Sequence, residues 1–226
     1  MTLSQASPSE REATSTGSAV PGFRSITWFA LAGVLRHTPD SDVLAHLAQT
    51  GTSAVDEESQ PGELGQAWAA LATAASHVEP GPLDDEFHDL FIGIGRGEIV
   101  PYASWYRTGF LMDRPLVALR RDLALLGFER QHSVREPEDH AAAIAEVMGL
   151  LADPAEGQDE STQRIFFSEH IDSWMPDFFA DIQTAKTADF YRRVGRLGAA
   201  FVEFERGWLG AEAPRSAASH SGVSKS

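Results

Sequence analysis

Between Ala188 and Trp208, the residues Tyr191, Val194, Leu197, Phe201, Phe204 and Trp208 recur at intervals of three or four. This spacing lays them along one face of a helix, and such a face must be buried against elements of the same period. The rest of the chain repeats the pattern. Phe23–Leu35 places Ile26, Phe29, Ala30 and Val34 inward, with Trp28 beside them. Pro39-Asp40-Ser41 ends that helix and starts one carrying Val43, Leu44 and Leu47, which stops at Gly51. Pro61 opens a third helix, with Leu64, Trp68, Leu71 and Ala75 on one face, and Glu79-Pro80-Gly81-Pro82 breaks it. A fourth runs from about Leu83 with Phe87, Leu90, Phe91 and Ile94 inward. Ser104 is placed to cap a short helix through Met112, and Asp113 and Pro115 start the next, which ends at Gly127. Ile165, Phe166, His170 and Trp174 form a further stripe, and Pro176 starts one with Phe178, Phe179 and Ile182. Nothing alternates with period two over a strand's length. The expected fold is all-α, a single-domain bundle of about ten helices.

Residues 1–22 are rich in Ser, Thr, Ala, Glu and Pro without periodicity and are expected to form a disordered arm. The bundle is expected over 23–210, with a polar disordered tail at 211–226. The acidic loop 153–160 is the candidate hinge between two helical halves.

Charge and composition then exclude whole classes of function. The 226-residue chain has a formal net charge of -15, almost all of it in residues 23–210. An acidic body repels nucleic-acid phosphate and attracts basic partners. There are no cysteines, which removes disulfides, thiolate metal sites and cysteine nucleophiles. No run approaches the ~18 apolar residues of a membrane span, and the N-terminus has no apolar signal core, so the cytoplasm is the expected compartment.

The densest group of ionisable residues is VREPEDHAAAIAEVMGLL, Val134–Leu151. Pro137 suits a first helical turn, and Glu138 and Asp139 suit the positive end of a helix dipole. His140, Ile144, Val147, Met148 and Leu151 follow at helical spacing. A histidine next to an acid has a bland reading, a satisfied core residue beside a dipole-serving carboxylate. It also permits a metal set of Glu136, Asp139, His140 and His170, or a Ser104–His140–Asp139 triad. Neither has a supporting motif: there is no HExxH and no nucleophile elbow. The glycines of GIGRGE, residues 93–98, lack the Lys-Ser/Thr of a phosphate loop. Tyr102, Trp105 and Tyr106 cluster at a loop-to-helix junction, where aromatics suit a groove lining.

Four blocks together resemble the TorD/DmsD/NarJ family of redox-enzyme maturation chaperones. They are EFHDLFIG (Glu86–Gly93), VPYASWY (Val100–Tyr106) followed by GFLM and PLVALR, EPEDH (Glu136–His140), and FFSEH (Phe166–His170) with Trp174 and Phe178. They occur in the family's order over roughly 83–180. The resemblance implies an all-helical, non-enzymatic cytoplasmic protein that takes no cofactor of its own. Such a protein binds the twin-arginine leader of an apo-molybdoenzyme and holds the enzyme until its cofactor is inserted. Proteins of molybdenum-cofactor biosynthesis are implied as further partners, and a monomer or a helix-exchanged dimer as the assembly. The positions carried over to the leader groove are Leu90, Phe91, Pro101, Tyr102, Ser104, Tyr106, Glu136, Asp139 and His140. Which molybdoenzyme is the client, and whether guanine nucleotide binds, stay open. So do a helical hydrolase or metalloenzyme using Asp139 and His140, and a generic helical adaptor.

Energetics give the leader reading an independent basis. Exposed ion pairs contribute ~0–1 kcal/mol each, a buried leucine-sized side chain ~1.5–3 kcal/mol, and ordering a peptide costs ~2–5 kcal/mol. Leu90, Phe91, Tyr102 and Tyr106 are therefore expected to carry affinity, with Asp139, Glu138 and the acidic surface setting orientation and on-rate.

Overall fold

The computed structural model describes residues 8–53, 62–93, 97–129 and 136–210, of which 8–21 and 51–53 are described by their backbone alone. Ten α-helices follow one another in these residues: α1 Pro8–Arg36, α2 Ser41–Ser53, α3 Glu63–Ala75, α4 Pro80–Phe87, α5 Ala103–Thr108, α6 Arg114–Leu125, α7 Ala141–Leu151, α8 Glu160–His170, α9 Met175–Thr184 and α10 Phe190–Leu209. A π-helical turn, His88–Ile92, continues α4. Among the described residues there is no strand, only an isolated antiparallel bridge between Tyr102 and His140. The all-α architecture is as the helical periodicity implies.

The longest interior face belongs to α10. Tyr191, Val194, Leu197 and Phe201 are buried as expected, whereas Phe204 and Trp208 reach the surface. α10 packs on α9 and α3, α1 lies along α7, and α2 lies on α3. Two glycines let α9 and α10 approach closely. A Cβ on Gly198 would overlap the Phe179 ring, and one on Gly195 would lie 2.9 Å from the Phe179 carbonyl oxygen. Gly198→Ala is therefore expected to destabilise by about 1–3 kcal/mol through overpacking, despite alanine's better helix propensity. Chemical denaturation measures this, and a variant as stable as wild type would contradict the close crossing.

Several boundaries and faces differ from the sequence reading. α1 begins at Pro8, so residues 8–22, expected as a disordered arm, lie within it; its Ser, Thr and Glu residues do not oppose a helix strongly enough to end it. Residues 1–7, the tail 211–226, Pro61 and Ile94 lie outside the described residues. The inward face of α1 is Arg24, Thr27, Trp28, Leu31, Val34 and Leu35, while Ile26 and Phe29 are exposed. The register expected for α1 is thus rotated, because buried polar partners pull Arg24 and Thr27 inward. Pro80 opens α4 instead of only ending α3, since proline needs no hydrogen bond in a first turn. On α8, Ile165 is exposed and Phe167 takes its place in the core.

The buried charges of α1 and α10 form one unit. Arg24 donates to both Glu205 oxygens at 2.5 and 2.9 Å, and Trp28 Nε1 donates to Glu205 Oε2 at 3.1 Å. Both members of the ion pair are buried. The guanidinium also lies 5.7 Å from the Trp208 ring centroid.

Candidate functional site

The motif blocks converge through carboxylates that cap helices other than their own. Glu86 accepts backbone N–H bonds from Asp189, Phe190 and Tyr191 at 2.7–3.1 Å, and so closes the start of α10. Glu98 accepts from the Lys186 and Thr187 N–H groups and the Thr187 hydroxyl. The Lys186 bond holds its carboxyl below the usual range. The π-helical turn supplies the docking edge for this second acid. Its Asp89 and Leu90 carbonyls accept from Glu98 and Ile99 N–H at 3.2 and 2.8 Å. Gly97 is required there, because a Cβ would sit 2.5 Å from the Leu90 oxygen.

Asp139 and His140 divide the same task. The chain at 101–103 runs antiparallel to 139–141, with Ala103 N–H donating to Asp139 O and Ala141 N–H to Pro101 O at 2.9 and 2.8 Å. The Asp139 carboxylate accepts the Ser104 N–H at 3.0 Å and a short bond from the Ser104 hydroxyl, capping α5. His140 Nδ1 accepts from Ala142 N–H at 3.1 Å, which makes His140 the N-cap of α7. Its ring meets Tyr102 edge to face at 5.0 Å.

This geometry corrects three expectations. Pro137 does not open α7, which starts at Ala141 after a turn. Ser104 does not cap α5; Tyr102 occupies the N-cap position, and Ser104 is the second helical residue. Asp139 does not guide ligands from the surface, because it is 1% exposed and turned toward Ser104. Its Oδ1 has no hydrogen-bond partner. The Ser104–His140–Asp139 triad is not assembled, since the Ser104 hydroxyl engages the acid instead of the imidazole. His170 is held elsewhere, by Asp122 at 2.9 Å. Among the described residues no group of His, Asp and Glu is arranged to hold a metal ion.

Beside His140 opens a cleft of about 460 Å³. Leu123, Phe128, Ala142, Val147 and Leu150 give it apolar walls, with Pro137 and His140 at one side. Its charged lining is Glu129, Glu136, Glu138 and Glu146 against Arg36 and Arg120, four carboxylates to two guanidiniums. Both arginines are already engaged, Arg36 with Glu146 at 2.5 Å and Arg120 with Glu138 at 2.8 Å. Burial, and then the nearby Arg36 charge, pull the His140 imidazole down to about 4, so it is neutral at pH 7.

Of the nine residues assigned from the sequence, Glu136 and His140 line this cleft. Leu90, Pro101 and Ser104 are buried. Leu90 cannot carry affinity, because the π-helical turn aims it into the core. Phe91 is half-buried against Phe87 and Tyr191, each ring 5.2 Å away. Tyr106 donates to Asp181 at 2.8 Å and packs on Trp174 and Phe178. Burial, and then the bonded Asp181, push its phenol pKa up. The aromatic junction is not sealed, since a second cleft of about 290 Å³ opens beside Trp105 and Tyr106. The cleft walls from α6 and α7 were not found from the sequence. Their one signal was that Val147 and Leu150 extend the apolar surface of α7 beyond a single stripe.

The family model described as nitrate reductase delta subunit matches residues 57–180. Chaperone protein TorD of Vibrio cholerae is 29% identical over 130 residues, which cover 54% of this chain and 59% of that protein. Chaperone protein TorD of Vibrio atlanticus is 28% identical over 140 residues, 58% of this chain and 65% of that protein. The matches thus span less than two thirds of these relatives' own length. The crystal structure of an Archaeoglobus fulgidus protein described as a redox enzyme maturation protein aligns with a TM-score of 0.52 at 18% identity, covering 80% of this chain and 93% of the other. That likeness concerns the fold. With the family match taking in more than half of its residues, this chain belongs to the nitrate reductase delta subunit family, the TorD/NarJ group.

Proposed function

We propose that this chain is a non-enzymatic maturation chaperone, acting in the cytoplasm. It binds the twin-arginine leader of an apo-molybdoenzyme and holds that enzyme for cofactor insertion and proofreading before export. Proteins of molybdenum-cofactor biosynthesis would be its further partners. The observation that carries the reading is the cleft beside His140, with apolar walls and twice as many carboxylates as guanidiniums. This combination suits a peptide with a basic end and an apolar run. A neutral His140 adds no positive charge against such a ligand. No helix among the described residues is long and apolar enough to cross a membrane.

Affinity is assigned to Val147, Leu150, Phe128 and Leu123 in place of Leu90. Glu138 and Glu146 receive the leader's arginines in exchange for Arg120 and Arg36. Two members of one ion pair should therefore act with opposite sign. In titration calorimetry with a synthetic peptide of two arginines followed by a leucine run, Glu146→Gln should weaken binding up to about fivefold. Arg36→Ala should strengthen it by a similar factor, because it frees Glu146. Val147→Ser with Leu150→Ser should weaken it by tenfold or more, in keeping with roughly 1.5–3 kcal/mol per buried aliphatic side chain. A Val147/Leu150 double variant that binds like wild type would place the leader elsewhere.

A further inference from the structure

The turn between α5 and α6 exposes three large apolar side chains in a row. Phe110 is 71%, Leu111 50% and Met112 70% accessible. An exposed apolar run of this kind needs a reason. The turn is not slack. Gly109, at φ 77°, closes α5 with a 2.8 Å bond to the Trp105 carbonyl. Thr108 Oγ1 accepts the Phe110 N–H at 3.3 Å, and Asp113 accepts the Arg114 N–H at 2.7 Å. Met112 has a φ of 55°, the left-handed region that a β-carbon disfavours. Strain that keeps apolar side chains in water is characteristic of a binding element.

The adjoining helix face continues the surface. Arg114, Val117 and Arg121 follow at helical spacing and all are exposed, with Val117 66% accessible. Residues 107–121 hold four arginines against one aspartate, in a chain whose net charge is -15. A basic patch on an acidic body selects an acidic partner by charge complementarity. None of Phe110, Leu111, Met112, Arg114, Val117 and Arg121 lines the cleft beside His140.

We propose that the Phe110–Met112 turn and the Arg114/Val117/Arg121 face form a second docking surface, which takes an acidic, apolar polypeptide segment. The aromatic and thioether side chains bury against the segment's apolar residues, and the arginines engage its carboxylates. An anionic bilayer offers related chemistry, but the acidic remainder of the chain opposes approach to an extended negative surface. The surface does not depend on the leader reading of the cleft.

Fluorescence anisotropy on the full chain tests this, with a labelled synthetic peptide alternating leucine and phenylalanine with aspartate as the probe. The wild type should bind it, and replacing the aspartates by lysines should weaken binding by about tenfold or more. Phe110→Ser with Met112→Ser should weaken it by about tenfold or more, as should Arg114→Glu with Arg121→Glu. Met112→Gly should raise the melting temperature by about 2–4 °C while weakening the peptide, since glycine accepts the backbone and removes the side chain. The arginine–leucine peptide of the cleft should bind all these variants like wild type. If that peptide fails while the aspartate peptide binds, the cleft reading falls and this one stands. The proposal is overturned if the Phe110/Met112 double variant binds the aspartate peptide unchanged. It is also overturned if wild type ignores the peptide but co-sediments with phosphatidylglycerol vesicles, or forms dimers by light scattering, through the same side chains.

Discussion

Replacing Glu205 by glutamine is expected to destabilise the protein by about 3–5 kcal/mol. The change removes one negative charge and leaves nearly the same shape. The amide oxygen can still accept from Trp28 Nε1, so the loss falls mainly on Arg24. That guanidinium is buried and directs its Nε and Nη2 bonds to Glu205. Without the carboxylate it remains an uncompensated charge away from water, which is far costlier than losing a surface pair. For a chain of this size the shift corresponds to roughly 6–20 °C in melting temperature. Urea denaturation should show a lower midpoint with little change in slope. The pair Arg24→Met with Glu205→Leu should recover most of the loss, because a well-packed apolar pair can replace a buried ion pair. A Glu205→Gln variant within about 1 kcal/mol of wild type would show that the α1–α10 contact does not depend on this charge.

The second large effect is on pH dependence. His140 has its pKa lowered to about 4 in the fold, first by burial and then by Arg36, against an ordinary value near 6.5. Between these values the unfolded chain binds a proton that the folded chain does not. Stability is therefore fully present above about pH 6.5, falls as the pH drops toward 4, and stops falling on this account below 4. The loss approaches about 3 kcal/mol across that window. Exposed carboxylates act lower down, Asp159 being held to about 2, first by its bond from the Ser161 hydroxyl and then by Thr162. His140→Asn isolates the effect, because asparagine can still accept the Ala142 N–H as an N-cap but does not titrate. Urea midpoints should fall between pH 7 and pH 4.5 in wild type and much less in the variant. An imidazole proton resonance of His140 that titrates near pH 6.5 would contradict the assignment.

The two effects share an origin in long-range partners, and the same origin separates what was legible in the sequence from what was not. Helix content and order rest on local interactions: apolar spacing of three and four, caps such as Asp113 and Asp159, and stops such as Gly127. These act within a few residues, so α6, α9 and α10 could be placed from the chain alone. The motif acids could not be read this way. Asp139 stands 35 residues from Ser104, and Glu86 stands 105 residues from Tyr191. Periodicity carries no information about such separations, so Asp139 read as a dipole-serving acid when it caps another helix. The rotation of α1 has the same cause, since Arg24 turns inward only because Glu205 waits there, 181 residues on.

The sequence by itself determined that the protein is all-helical, roughly where each helix lies, and that its acidic body favours basic ligands, because each follows from nearest neighbours or from composition. Only the tertiary structure decided which face of each helix is wet and which acids are consumed as caps. It also decided that the cleft lies between α6 and α7 instead of on Leu90 and Ser104. Burial and charge pairing depend on which distant segments meet, and that is settled when the helices pack.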